Sequence, residues 1–163
     1  MPDKCDCSRQ ADSATCELRA GVSGAACPTN HQIGKLMDSL TLKAIMALPL
    51  TELRPVEYRF CSDPHCPTVY YSEDGLQEFT EADLREQVYQ KHPNDEDVFV
   101  CYCFRHTPES IRSEIENTGE SMAIEKITAG IQAEQCACDI RNPQGSCCLG
   151  NVRQVVKKYQ TAI

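Results

Sequence analysis

Twelve cysteines in 163 residues constrain this chain more than any other feature, because most of them come in close pairs. The pairs are Cys5/Cys7, Cys61/Cys66, Cys101/Cys103, Cys136/Cys138 and Cys147/Cys148. With 41% hydrophobic residues and no tryptophan, an apolar core alone holds the chain only modestly, and something besides apolar packing is expected to hold small pieces together. The opening MPDKCDCSRQ has no apolar signal-peptide core, so a cytoplasmic location is expected. A reducing cytosol disfavours a framework of disulfides, and the clustering favours metal binding.

Other classes are disfavoured by composition. The longest apolar run, LTLKAIMALPL, contains Lys43 and Pro49 and is too short to span a bilayer, so no membrane insertion is expected. The net charge is −8 with no block of basic residues, which argues against nucleic acid and suits docking on basic protein partners. There is no Ser–His–Asp order, no phosphate-binding glycine loop and no dinucleotide fingerprint, so the chain is not expected to be an enzyme.

The pattern along the chain predicts an α+β fold in four stretches. Residues 1–26 read as a flexible arm carrying Cys5, Cys7 and Cys16. Residues 27–72 read as a small β-rich unit, with VEYRF and TVYYS as strands flanking CSDPHC. Residues 73–97 read as a helix over TEADLREQVYQK, capped by Thr80 with Leu84 and Val88 on one face, and then a linker broken at Pro93. Residues 98–163 read as helical. Thr107-Pro108-Glu109 starts one helix and Gly119 stops it, while Ser121 caps a second that ends near Gly130. RNPQG is a turn, and LGNVRQVVKKYQ a last helix burying Val152, Val155, Val156 and Tyr159.

In the first unit Cys61 and Cys66 have zinc-ligand spacing across a turn. ACPTNHQIG offers Cys27 with His31 as the second pair, and Cys5, Cys7, Cys16 and His65 are alternative fourth donors. Four protein ligands make a closed and therefore structural site. His92 and His106 lack a cysteine pattern and read as solvent-facing or capping residues. In the second unit, two thiols precede a helical hairpin and two close pairs follow it, so they can converge on one point. A [2Fe–2S] cluster needs four thiolates, and helix N-termini near Thr107 and Cys148 favour an anionic group. A second zinc on the same thiols, or a set of buried free cysteines, are the alternatives.

Here the motifs carry a resemblance. CYC followed by CACDIRNPQGSCCLGNV resembles the BFD-type [2Fe–2S] domain. Residues 27–155 as a whole resemble the N-terminal region of CopZ-type copper chaperones, through FC-x4-C-x-x-x-Y, VCYC and NP-x-G-x-CC. That resemblance implies a small zinc-binding domain followed by a BFD-like [2Fe–2S] domain. It also implies cluster ligands at Cys101, Cys103, Cys138 and Cys148, with Cys147 as the alternate fourth; Cys136 has no counterpart in the pattern. Where the resembled domain has C-P-x-C, this chain reads Cys27-Pro28-Thr29-Asn30, which leaves the fourth zinc ligand open, with His31 the favoured donor.

The implied function is an iron–sulfur and zinc-binding metallochaperone-like protein that handles copper or another soft metal, with the cluster as one-electron donor. The 163 residues contain no Met-x-Cys-x-x-Cys copper-carrying loop. A metal-transporting ATPase, a separate metallochaperone or a redox protein is therefore the expected partner, and Cys5, Cys7 and Cys16 are a candidate soft-metal arm. The alternatives are a BFD-type electron-transfer ferredoxin and a redox or iron sensor.

Overall fold

A computed structural model describes residues 24–162. The expected cysteines of the arm, Cys5, Cys7 and Cys16, lie outside the described residues. The fold is α+β, as the sequence predicts: a four-stranded antiparallel sheet comes first and a helical half follows.

The strands are β1 (Lys35–Leu36), β2 (Tyr58–Phe60), β3 (Thr68–Ser72) and β4 (Glu78–Thr80), and they lie in sequence order. β2 and β3 form where aromatic residues are densest, with Arg59 opposite Tyr71 and Phe60 opposite Tyr70. Strand alternation then sorts the side chains. Phe60 and Tyr70 enter a core with Leu42, Ile45 and Met46, while the next residues, Cys61 and Tyr71, enter a separate cluster with Cys27 and Cys66. Helix α1 (Ser39–Ile45) covers the first core; the Asp38 carboxylate caps it by accepting from the Leu40 amide at 2.7 Å.

The helix expected over TEADLREQVYQK is not formed. Only a single 3-10 turn, Glu81–Asp83, follows Thr80, and a second turn spans Tyr89–Lys91. The backbone hydrogen bonds go elsewhere. Ala47 N–H donates to Asp83 O at 2.8 Å, Arg85 N–H donates to Ile45 O at 2.9 Å, and Leu84 bridges to Met46. Tertiary pairing with the exit of α1 overrides a weak local preference and lets an extended chain put both Leu84 and Val88 into the first core. That core and its fourth strand thus continue past residue 72, to Val88.

The second half contains α2 (Pro108–Thr118), α3 (Ala123–Gln132), α4 (Cys138–Arg141) and α5 (Leu149–Gln160). Thr107 caps α2 by accepting from Ser110 N–H at 3.1 Å, and Gly119 ends it with φ 86°. Ser121 Oγ accepts from Ala123 N–H at 3.2 Å at the start of α3. α3 ends at Gln132, near Gly130 as expected, with Gly130 inside its last turn. The glycine's hydrogen faces the Phe104 ring, where an added Cβ would stand 2.2 Å from Phe104 Cζ. α2 and α3 pack on α5 through Ile111, Ile115, Ile127, Val152, Val155 and Val156. Tyr159, expected on the buried side of α5, is half-buried, and its hydroxyl donates to Glu96 at 2.6 Å.

The two halves are joined at several points. α1 packs on α4, Tyr70 Oη donates to Pro143 O, and Lys35 Nζ donates to Gln144 O at 3.1 Å. Tyr102, the residue between Cys101 and Cys103, is buried; its hydroxyl donates to Gln87 O at 2.6 Å and accepts from Tyr89 N–H at 3.0 Å. The C-x-C thus flanks an anchor that fastens the second half to the 87–89 segment of the first.

Candidate metal centres

The first centre is built from two turns. Cys27 opens a turn in which His31 N–H donates to Cys27 O at 2.9 Å and Cys27 N–H donates to Gln32 O at 2.8 Å. Cys61 follows β2 and Cys66 precedes β3. The three sulfurs lie within 4.8 Å of one another, and each cysteine is at most 4% exposed. Cys27 Sγ and Cys66 Sγ are 3.8 Å apart. Two thiolates on one tetrahedral zinc, at Zn–S of about 2.3 Å, stand about 3.8 Å apart, so these residues fit zinc as three of its ligands.

The surroundings act differently on the thiols of this centre. Burial pushes the Cys27 thiol up, but the N–H groups of Asn30 and Thr29 and the neighbouring thiols more than offset it, so its pKa falls below the ordinary value. Burial holds Cys61 above its ordinary value, against the Asp63 N–H and the Lys91 ammonium. Asn30 Nδ2 donates to Cys61 Sγ at 3.4 Å and to Asp63 at 2.9 Å. Lys91 Nζ donates to three carbonyls of the loop, Asp63 at 2.7 Å, Cys66 at 2.9 Å and Thr68 at 2.8 Å. His31 is exposed, has φ 61° and stands outside the three-thiol group. His65 is also exposed. His92 Nε2 is bonded to the Glu81 carboxylate at 2.7 Å.

The second centre gathers thiols from three places: the Cys101–Cys103 turn, the segment entering α4, and the start of α5. Cys103 Sγ stands 3.8 Å from Cys138 Sγ, and Cys136 Sγ stands 3.5 Å from Cys138 Sγ. Cys101, Cys138 and Cys148 are buried in one cluster, with Cys103 and Cys136 packed against it, and Cys147 is close enough to Cys138 to act on its thiol. The structure therefore brings Cys101, Cys103, Cys138, Cys147 and Cys148 together with Cys136. The Cys101 turn repeats the Cys27 turn: Cys101 N–H donates to His106 O at 3.2 Å, and Arg105 in fifth position has φ 60°.

Protons are unevenly shared in this group. The Cys138 thiol, together with the Ala137 N–H at 3.3 Å, holds Cys103 well below its ordinary pKa against burial. Thiols of Cys101 and Cys138 likewise hold Cys148 down. Cys101 and Cys138, the donors, are pushed up. Cys148 and Cys138 also sit at the starts of α5 and α4. Burial also pushes Cys136 up, so thiolates are favoured at Cys103 and Cys148. So many converging thiols are chemically suited to a multi-thiolate metal group, which would take the place of the remaining protons.

Sequence reasoning did not assign Cys136, Asn30 or Lys91 to either centre. The C-x-C spacing to Cys138 was a visible signal for Cys136. Nothing local marks Lys91, which is 25 residues from Cys66 in sequence.

Residues 24–85 match a family described as a zinc binding domain, zf_CopZ. A comparison with curated proteins finds no match. Among solved structures, the chain is similar to the Archaeoglobus fulgidus CopZ N-terminal domain, with TM-score 0.65 and 28% identity, over 80% of this chain and 96% of that one. The chain therefore contains a CopZ-like zinc-binding region at its first thiol centre, within a fold shared with the CopZ N-terminal domain.

Proposed function

We propose that this chain handles a soft metal, with a structural zinc in the first centre and a [2Fe–2S] cluster in the second. The observation that carries the reading is the convergence of Cys101, Cys103, Cys138 and Cys148 beside a separate CopZ-like thiol centre. Cys103 and Cys138, 3.8 Å apart, have the spacing of two thiolates on one tetrahedral metal, about 3.8 Å for bonds of about 2.3 Å. They would hold one iron, and the neighbouring buried thiols of Cys101 and Cys148 the other. Zinc would be held by Cys27, Cys61, Cys66 and a fourth donor, either His31 or a cysteine of the arm, Cys5, Cys7 or Cys16.

When bound, a [2Fe–2S] cluster supplies single electrons, the quantity that takes Cu(II) to the Cu(I) preferred by thiolates. The chain's own residues set the conditions. Val100, Ile115 and Val152 pack around the thiols and exclude water. The Ala137 amide donates to the Cys103 sulfur at 3.3 Å and so stabilises negative charge there. Cys103 is half-buried while Cys101, Cys138 and Cys148 are buried, so a redox partner would approach a bound cluster most closely at Cys103. Zinc is redox-inert and would fix the turns that carry Lys91's three carbonyl partners. The acidic surface suits a basic face on a metal-transporting ATPase, a separate metallochaperone or a redox protein.

The test mixes dithionite-reduced protein with Cu(II) and a Cu(I)-trapping chelator. The oxidised visible spectrum is expected to return as Cu(I) appears, one per cluster. A reduced cluster inert to Cu(II) but exchanging electrons rapidly with a ferredoxin reductase would make the chain an electron carrier instead.

A further inference from the structure

A four-ligand cluster leaves two thiols of the second centre unused, and Cys136 is the better placed of them for a separate role. Its sulfur is 3.5 Å from Cys138 Sγ, and Cys103 Sγ is 3.8 Å from Cys138 Sγ. All three sulfurs lie within 4.8 Å of one another. Three thiolates in a trigonal plane, with metal–sulfur bonds of about 2.3 Å, stand about 4 Å apart, and the 3.5 and 3.8 Å separations are within a few tenths of an ångström of that spacing. Among the described residues, no histidine or carboxylate belongs to the group, so its donors are sulfur only. Sulfur-only donors select soft cations such as Cu(I). Access also fits a site that loads and unloads: Cys103 and Cys136 are half-buried, and only Cys138 is buried.

We propose that Cys103, Cys136 and Cys138 form a three-thiolate site for a single soft cation of the Cu(I) type in the iron-free protein. The site rests on the proposed cluster reading in one respect: Cys103 and Cys138 serve both occupants, so cluster and cation exclude each other. Cys136 is the residue that converts a pair of cluster ligands into a mononuclear site. Iron loss then leaves a thiol centre still able to hold the metal the protein handles.

The experiment uses the full-length chain, zinc-loaded and iron-free, with one equivalent of Cu(I) under anaerobic conditions. Alkylation by iodoacetamide is mapped cysteine by cysteine. Cu(I) is expected to slow alkylation of Cys103 and Cys136 together, by about tenfold or more. Retention of Cu(I) against bathocuproine disulfonate is expected to fall about tenfold or more in Cys136→Ser, equivalent to about 1.4 kcal/mol. The same variant is expected to assemble iron and sulfide as the unaltered chain does. Unchanged alkylation of Cys136 in the presence of Cu(I) overturns the site, even where the variant fails to fold. Failure of a folded Cys136→Ser to assemble the cluster also overturns it, by making Cys136 an iron ligand. Failure of the unaltered chain to assemble any cluster refutes the cluster reading alone, because protection of Cys103 and Cys136 by Cu(I) is measured without iron.

Discussion

Lys91→Met tests how the first centre is held. The Lys91 ammonium uses its three protons on the carbonyls of Asp63, Cys66 and Thr68, at 2.7, 2.9 and 2.8 Å. Methionine keeps most of the stem and removes all three bonds and the charge. Hydrogen bonds to charged groups contribute roughly 1.5–3 kcal/mol each, but the partly buried site lets water replace some of that, so about 1 kcal/mol per bond is the working figure. The sum of about 3 kcal/mol corresponds to roughly a hundredfold in the population of the folded, zinc-ready loop. The lost positive charge acts in the same direction, since Lys91 favours the Cys61 thiolate. Zinc affinity, measured by competition with a chromophoric chelator, is expected to fall by one to two orders of magnitude. The melting temperature is expected to drop by roughly 6–12 °C. Lys43→Met, at an exposed position on α1, is the control and is expected to change neither. Lys91→Met with zinc affinity within about threefold of the unaltered chain rules out this role for the lysine, since that is under 1 kcal/mol.

Three further outcomes are expected. Tyr102→Phe removes a 2.6 Å bond to Gln87 O and orphans the Tyr89 amide, so hydrogen exchange of the 87–91 amides should quicken at a cost of about 2 kcal/mol while the amides of α5 keep their protection. Gly130→Ala forces a Cβ against Phe104, and overpacking of about 1–3 kcal/mol should lower the melting temperature, although alanine alone favours a helix by about 1 kcal/mol. Glu114 accepts from Ser121 Oγ at 2.7 Å and Lys126 Nζ at 3.1 Å; that hydroxyl, and then the lysine, hold its pKa below the ordinary 4.5 against burial. Its stabilisation of the α2–α3 hairpin is therefore fully present above pH 4.5 and lost as pH falls through the lowered value. The hydrogen-exchange gap between the unaltered chain and Glu114→Gln should close over that acid range.

How far the sequence discloses this molecule depends on how local each determinant is. β2 and β3 are legible because runs of aromatic and β-branched residues flank the CSDPHC turn. α2 is legible because Thr107, Pro108 and Gly119 each act within a few residues of themselves. The 81–88 segment is misread as helix because its extended form depends on pairing with Met46 and Ile45, remote in sequence. The end of α3 near Gly130 is legible, but the close approach of Phe104 that requires glycine there is not. The convergence of thiols follows from their paired spacing around the predicted hairpin. Which sulfurs approach which does not, since Cys101 meets Cys148 and Cys103 meets Cys138 only through helix packing. Lys91 and Asn30 carry no local mark at all, because each acts on a loop brought to it by the fold.

A zinc centre and a [2Fe–2S] centre in one chain are tested most directly by the iron, acid-labile sulfide and zinc content of the full-length chain after anaerobic reconstitution, with paramagnetic resonance of the dithionite-reduced sample. The two centres predict two irons, two sulfides and one zinc per chain, a signal from one reduced [2Fe–2S] cluster, and loss of that signal but not of the zinc in Cys101→Ser. Two zinc ions per chain with no bound iron or sulfide would contradict the cluster.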